Sequence, residues 1–218
     1  IDNSEFVRLG RGVELTFKDP PNWPKDKTAE GYVNVLVPWI SLWQWHPFSV
    51  YKSFDRPVYS SIFAMDSGDW TSALHASIAR DTKRPVWIQG PFPSPYGERA
   101  VDFDNMVLVA TGIGVTPALS CIQSFGKTGR SLSLIWSCRD PGLIAYYAEH
   151  RLEATAMTLI YYTGKAPINL TNLPSHARVI PSRPDLKRVV PDIIRCVEYH
   201  VGLPKELQTK AAHFLMEA

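Results

Sequence analysis

The segment at residues 106–117 limits the fold of this chain most strongly, because an unbroken apolar run leads directly into a Gly-x-Gly turn. The aliphatic residues at 107–110 predict a buried strand, and Pro117 predicts the start of a helix, where a missing N–H costs little. A tight turn between a strand and a helix brings backbone N–H groups and the helix N-terminus to one point. Such a point suits a phosphate group.

The chain divides into two parts with different periodicities. Before residue 100 it has short β-prone runs and one predicted helix at 72–80, which is typical of a small antiparallel barrel. After residue 100 strands and helices alternate, which is the pattern of a parallel α/β sheet. We therefore predict an all-β domain over residues 1–100, an antiparallel β-barrel, followed by a Rossmann-like parallel α/β domain over residues 101–218. The elements predicted in the second part are strands at 107–110, 132–137 and 157–162 and helices at 117–126, 143–152 and 185–199.

The composition argues against several classes of protein. The 218 residues carry a formal net charge of +2, which gives no reason to expect a nucleic-acid partner. Three cysteines without CxxC spacing indicate neither a zinc site nor a disulfide framework, so we predict no metal and a reducing compartment. The most apolar stretch, residues 32–45, is too short to cross a bilayer. We expect a soluble fragment of a longer protein.

Three motifs of the second part suit a nucleotide, and each also has a plainer interpretation. Pro117 stands where the third glycine of a GxGxxG motif would be, so the turn alone fits a phosphate site or an ordinary strand–helix connection equally well. Thr116 offers a hydroxyl that can cap the helix or touch a phosphate. Arg139 follows the next strand, where an arginine accommodates a 2′-phosphate, whereas the adjacent Asp140 fits a simple helix cap. Arg183 stands at another corner between a strand and a helix.

Two motifs of the first part suggest a second nucleotide. The run His46–Ser49 is an aromatic strand with a hydroxyl residue that could press against a flat ring, although a histidine before a proline is more often structural. The run 67–72 opens the predicted helix of this part, so its N–H groups form an anion site. Two anion sites on two domains indicate two nucleotides.

Together these motifs resemble the dehydrogenase region of the NADPH oxidase and ferric reductase family, which has the ferredoxin–NADP reductase fold. They follow one another in the family's order from about residue 5 to residue 195. They are the runs WHPFS at 45–49, GDWT at 68–71, GPFPSPYG at 90–97, GIGVTP at 112–117, CRD at 138–140 and RP at 183–184.

The resemblance implies FAD and NADPH as cofactors and a set of residues that bind them. The implied FAD residues are His46, Pro47, Phe48 and Ser49 along the flavin, with Ser49 near its N5, and Gly68, Trp70 and Thr71 at the pyrophosphate. The implied NADPH residues are Gly112, Ile113, Gly114, Val115, Thr116 and Pro117 at the pyrophosphate and nicotinamide ribose, and Cys138, Arg139, Arg183 and Pro184 around the adenosine 2′-phosphate. Ser49 and Thr116 are the implied catalytic residues.

The resemblance also implies a flavoprotein oxidoreductase with a haem partner. Hydride would pass from NADPH to FAD, and single electrons would then reach haem in an upstream transmembrane domain of the same polypeptide. The chain would lie at the cytosolic face of a membrane. The final acceptor would be oxygen, giving superoxide, or ferric iron, and the sequence does not separate the two.

Two other functions stay open at this point. A soluble reductase with a protein acceptor is disfavoured by the run 45–47, where soluble relatives tend to carry an arginine-rich motif. A degenerate regulatory module is kept open because no Cys-Gly-Pro motif and no terminal aromatic residue follow Cys196, which we interpret as a small buried core residue.

Overall fold

The computed structural model describes residues 1–23, 31–126, 128–148, 152, 155–168, 170 and 173–201, with only the backbone at 95, 96 and 199–201. The chain separates into two compact units. The first contains Ile1–Val101 together with Leu119–Ser124, and the second contains Asp102–Ala118 and the residues from Phe125 onward. Each unit has its own sheets and its own apolar core.

Antiparallel strands make up most of the first unit, as its short β-prone runs predict. One sheet has five strands in the order β5-β6-β2-β1-β7, and a second has three strands in the order β4-β3-β8. Every described pairing within these two sheets is antiparallel. The strands are β1 (Ser4–Leu9), β2 (Gly12–Lys18), β3 (Gly31–Leu36), β4 (His46–Ser49), β5 (Tyr51–Lys52), β6 (Tyr59–Met65), β7 (Thr82–Arg84) and β8 (Trp87–Pro93).

The inward-facing side chains of both sheets form one core. Along β3, Val33 and Val35 are buried whereas Tyr32 is exposed, because successive side chains of a strand point to opposite faces. Helix α1 (Asp69–Ser77) adds Trp70 and Leu74 to the same core. Burial of a side chain of this size contributes about 1.5–3 kcal/mol, so the core fixes the positions of β4 and of the start of α1.

The second unit is a parallel sheet with helices between its strands. Its strands lie in the order β12-β11-β10-β9, and all described pairings are parallel. A 3-10 turn at Gly112–Gly114 joins β9 to helix α3. A short helix, α2 (Pro95–Ala100), is the last element of the first unit before residue 101. The elements that follow are β9 (Asn105–Thr111), α3 (Val115–Phe125), β10 (Ser131–Cys138), α4 (Pro141–Ala148), β11 (Met157–Tyr162), β12 (Ala177–Ile180) and α5 (Leu186–Val201).

Helices cover both faces of this sheet. On one face, Ile193 of α5 packs in a cluster with Ile135 and Tyr161. On the other face, Trp136 of β10 is fully buried and meets the ring of Tyr147 of α4 edge-on, with ring centroids 6.3 Å apart. The alternation of neighbouring residues 135 and 136 between the two faces is that of a sheet buried on both sides. The predicted fold class, an all-β part followed by a parallel α/β part, is confirmed.

Several element boundaries differ from the predictions. Helix α1 starts at Asp69 instead of residue 72, so part of the run 67–72, which was predicted to open the helix, is already helical. Helix α3 starts at Val115, so Pro117 lies within its first turn and does not open it. The short strand β7, strand β12 and helix α2 were not predicted; each has six residues or fewer, which leaves little periodicity to detect.

Candidate functional site

Strand β4 presents its four motif residues on alternate sides. His46 and Phe48 point toward Trp70, and their ring centroids lie 4.2 Å and 6.0 Å from that of the tryptophan. The side chains of Pro47 and Ser49 point to the opposite face of the sheet, since side chains alternate along a strand. Because β4 is the edge strand of its sheet, side chains from both faces are accessible to a group lying along that edge.

The rings of His46 and Trp70 carry buried nitrogens without a partner. Neither Nε2 of His46 nor Nε1 of Trp70 has a hydrogen-bond partner among the described residues. Desolvation by burial lowers the pKa of His46, so the imidazole is neutral at pH 7. Both nitrogens have almost no accessible surface, as do the unpartnered Nε1 atoms of Trp23 and Trp39, so they describe the close packing of the ring cluster.

The start of α1 lies beside this ring cluster. The hydroxyl oxygen of Thr71 accepts hydrogen bonds from the N–H groups of Ser67 and Gly68, each at 3.0 Å, and donates one to the Gly68 carbonyl at 2.9 Å. The N–H groups of the first helical residues after Gly68 have no partner within the helix itself. A Cβ at Gly68 would meet nothing within 4 Å, so an anion can approach the helix start closely.

Helix α3 holds the chain directly after Ser49 through residues that belong to the first unit. Ser120 Oγ donates to the Val50 carbonyl at 3.1 Å. The Gln123 amide accepts from the Lys52 N–H at 2.9 Å and donates to the Lys52 carbonyl at 2.8 Å. These bonds position the backbone that follows the run His46–Ser49. Sequence reasoning missed both side chains, because a mid-helix glutamine carries no motif.

The turn after β9 is built around left-handed backbone at Gly112. Its φ is +50°, which favours glycine, and the indole N–H of Trp136 donates to its carbonyl at 2.9 Å. A Cβ at Gly114 would meet nothing within 4 Å. The Thr116 hydroxyl donates to the Ile113 carbonyl at 3.1 Å and the side chain is buried, so this hydroxyl supports the turn from inside. Val115 is buried as well, and Pro117 is half-buried.

The carboxyl ends of the four parallel strands meet at one edge of the second unit. Thr111, Ser137, Tyr161 and Ile180 stand in successive register positions across the sheet. Two predicted arginines follow strands that end there, and both are exposed. No hydrogen bond or ion pair joins either guanidinium to another residue in the described part of the chain. The two are Arg139 after β10 and Arg183 after β12.

Both neighbouring aspartates are used as helix caps. Asp140 Oδ1 accepts from the N–H groups of Gly142 and Leu143, at 2.9 Å and 3.2 Å. Asp185 Oδ1 accepts from the N–H of Lys187 at 3.2 Å. The helix-cap interpretation of Asp140 is therefore correct, and it leaves Arg139 without a carboxylate partner.

The remaining residues that the sequence singled out differ in burial. Cys138 is buried, burial raises the pKa of its thiol, and its Sγ lies 3.6 Å from the Asp140 carbonyl. Pro184 is half-buried beside Arg183. Cys196 lies half-buried on α5, not in the core as predicted, because it sits beside the apolar stripe of that helix. The chain beyond Val201, where the Cys-Gly-Pro motif was sought, lies outside the described residues.

Two domain families match the chain consecutively. The profile of a family described as FAD-binding domain matches residues 10–121, about half of the chain. The profile described as ferric reductase NAD binding domain matches residues 103–168. The chain belongs to the dehydrogenase family of NADPH oxidases and ferric reductases. The predicted family is confirmed, and so are an FAD-binding domain and an NAD(P)-binding domain in this chain.

Proteins similar to this chain include both ferric reduction oxidases and NADPH oxidases. Ferric reduction oxidase 8, mitochondrial, of Arabidopsis thaliana is 34% identical over 128 residues, which are 55% of this chain and 17% of that protein. NADPH oxidase 3 of Rattus norvegicus is 31% identical over 158 residues, which are 64% of this chain and 27% of that protein. The chain thus spans about a quarter or less of these relatives.

Solved structures share the fold at low sequence identity. A flavohemoglobin from Malassezia yamatoensis with bound FAD and heme has a TM-score of 0.56 and 18% identity, covering 94% of this chain and 58% of its own. A ferredoxin NADP+ reductase from Neisseria gonorrhoeae with bound FAD and NADP has a TM-score of 0.52 and 15% identity, covering 94% and 81%.

Two negative findings apply to the described residues. No described helix is long and apolar enough to cross a bilayer. No group of three or more His, Cys, Asp or Glu side chains in the described ranges is arranged to hold a metal ion.

Proposed function

We propose that residues 1–100 form an FAD-binding domain, that residues 101–218 form an NADPH-binding domain, and that the chain is the dehydrogenase part of a longer electron-transfer protein. The observation that carries the proposal is the match of an FAD-binding domain over residues 10–121 and of a ferric reductase NAD binding domain over residues 103–168, with the aromatic cluster of β4 beside the open start of α1 in the first of them. Aromatic side chains and an open helix N-terminus are features that suit a flavin nucleotide.

The FAD contacts divide between a ring site and a phosphate site. His46, Phe48 and Trp70 supply aromatic surface, whereas Pro47 and Ser49 approach the flavin from the other face of β4. We assign Ser49 to the neighbourhood of the flavin N5. Gly68 gives the pyrophosphate access to the helix N–H groups, and Thr71 holds the turn that aims them.

The NADPH contacts lie on the second unit. Gly112 to Pro117 offer the pyrophosphate a glycine turn and the first N–H groups of α3, with Trp136 fixing the orientation of the Gly112 peptide. Arg139 and Arg183 bind the adenosine 2′-phosphate, because both guanidinium groups are exposed and unpaired within the described chain. Thr116 keeps the turn in shape through its bond to Ile113.

The bound cofactors supply hydride acceptance from NADPH and release of single electrons. The protein's own contribution is to hold the two nucleotides by their phosphates, to orient the flavin through β4, and to keep His46 neutral. A neutral imidazole can accept or donate one hydrogen bond at Nε2 without placing a positive charge beside the flavin.

The proposed electron acceptor rests on the family resemblance, and the names of the relatives support it. Their names describe ferric reduction oxidases and NADPH oxidases, so we propose that electrons leave toward haem in an upstream transmembrane domain of the same polypeptide. The chain would then act at the cytosolic face of a membrane, and oxygen or ferric iron would be the final acceptor.

A turnover assay tests this function in the chain alone. The chain is loaded with FAD, and oxidation of NADPH is followed at 340 nm with ferricyanide as a one-electron acceptor. We expect FAD-dependent turnover in which two ferricyanide ions are reduced per NADPH. NADPH oxidation that does not depend on FAD, or none at all, would contradict the proposal.

A further inference from the structure

The turn that follows β11 contains a lysine, Lys165, that lies outside all the nucleotide-binding motifs. Lys165 is exposed, and no hydrogen bond or ion pair joins it to another residue in the described ranges. It stands three residues after Tyr162, the last residue of β11. Strand β11 lies directly beside β10, whose end leads to Arg139, and neighbouring strand axes are about 5 Å apart.

Backbone contacts fix this turn against the residues around Arg139. The Thr163 N–H donates to the Cys138 carbonyl at 2.9 Å. A Cβ at Gly164 would lie 2.5 Å from the Arg139 carbonyl oxygen, so only glycine allows this close approach. Tyr162 Oη donates to the Ala166 carbonyl at 2.5 Å and closes the turn. Lys165 is therefore held at its tip, next in sequence to the residue that touches Arg139.

The two aspartates at this edge bond to backbone groups and not to its cations. Asp140 and Asp185 accept backbone N–H groups at the starts of α4 and α5. No ion pair joins either carboxylate to Arg139, Lys165 or Arg183 in the described part of the chain. Arg139, Lys165 and Arg183 follow three adjacent strands, β10, β11 and β12, and form a row of exposed positive charges at the carboxyl edge of the sheet.

We propose that Lys165 is a third cation for the 2′-phosphate of NADPH and contributes to the preference for NADPH over NADH. The inference rests on the proposed function, which places that phosphate at Arg139. A 2′-phosphate is a compact anion with three acceptor oxygens, and an ammonium group next to a guanidinium suits such a target. An unphosphorylated ribose offers Lys165 no charge to bind.

Binding of nucleotide fragments tests the role of Lys165 without any turnover. Calorimetric titrations with adenosine 2′,5′-bisphosphate and with 5′-AMP are compared for the wild type, Lys165→Ala, Lys165→Arg and Arg139→Ala. Lys18→Ala serves as the matched control, since Lys18 is an exposed lysine of β2. The melting temperature of each variant shows whether it is folded.

We expect Lys165→Ala to bind the bisphosphate about tenfold more weakly, as for the loss of one charge-assisted contact, with 5′-AMP affinity changed less than about twofold. Lys165→Arg should retain most of the affinity, and Lys18→Ala should match the wild type. Weakening by Arg139→Ala but not by Lys165→Ala would overturn the role of Lys165 and leave the proposed function intact. A wild type that binds both fragments equally would overturn the 2′-phosphate site itself, and the role of Lys165 with it.

Discussion

Thr71 shows how a single hydroxyl can prepare a phosphate site without touching the phosphate. Its oxygen accepts from two N–H groups before the helix and donates to the Gly68 carbonyl. Those bonds use the hydroxyl fully, and they leave the N–H groups of the first helical turn available. We therefore propose that Thr71 affects FAD binding through the shape of the turn.

We predict that Thr71→Ala weakens FAD binding about fivefold, because a lost cap of this kind costs about 1 kcal/mol. The affinity is measured from the quenching of flavin fluorescence on binding. Thr71→Ser keeps the hydroxyl and should bind FAD nearly as the wild type does. Equal FAD affinity in Thr71→Ala and the wild type would show that the turn forms without the hydroxyl.

His46 makes the stability of the FAD-free chain depend on pH. Burial lowers its pKa below the usual value of about 6.5, so the unfolded chain binds the proton more readily than the folded one. Stability from this source is present above the unfolded pKa and is lost as the pH falls from about 6.5 toward the lower folded pKa.

We therefore predict that His46→Gln reduces the fall in melting temperature between pH 7.5 and pH 5.5. His176→Gln is the control, because His176 is half-buried and bonds to the Leu152 carbonyl at 2.8 Å. Thermal unfolding at both pH values measures the effect. If the wild type and His46→Gln lose the same number of degrees, the histidine is not desolvated as described.

At the scale of elements, Gln123 ties helix α3 to the backbone after β4. Its amide pairs with both the N–H and the carbonyl of Lys52, in the way a neighbouring strand would. Removal of the amide leaves the N–H and the carbonyl of Lys52 unpaired in a half-buried position. The desolvation cost of two unpaired groups exceeds the net free energy that the two hydrogen bonds contribute to stability.

We predict that Gln123→Leu lowers the free energy of unfolding by about 1–3 kcal/mol and weakens FAD binding, since β4 and Ser49 lose their support. Urea unfolding and flavin fluorescence measure the two effects. Gln44→Leu, at an exposed position, applies the same substitution as a control. A loss of stability with unchanged FAD affinity would show that α3 does not position β4.

The starts of helices explain where prediction from sequence succeeded and failed. The strand and turn at 106–117 were predictable, because apolar runs and glycines carry strong local signals. The start of α1 was not, because the Thr71 hydroxyl makes residues before 72 helical, and that bond is visible only in three dimensions. The contributions of Trp136 and Gln123 depend on partners 24 and 71 residues away, so no local pattern contains them.

At the scale of the whole chain, the order of the two parts was predictable from periodicity alone. Short alternating runs gave antiparallel strands, and the strand–helix alternation gave a parallel sheet. The cofactors came from the motifs GDWT and GIGVTP in their family order, not from composition. The pairing order of the strands did not follow from the sequence, because it depends on contacts between distant residues.

Anaerobic reduction of the flavin tests the central claim most directly. The chain is loaded with FAD under nitrogen, and the flavin absorbance near 450 nm is followed after mixing with NADPH or with NADH. The account predicts complete bleaching by NADPH at lower concentrations than by NADH, because the site proposed at Arg139 and Arg183 binds the 2′-phosphate, which NADH lacks. Bound flavin that neither nucleotide bleaches would contradict the oxidoreductase function of this chain, and a preference for NADH would contradict the roles of Arg139 and Arg183.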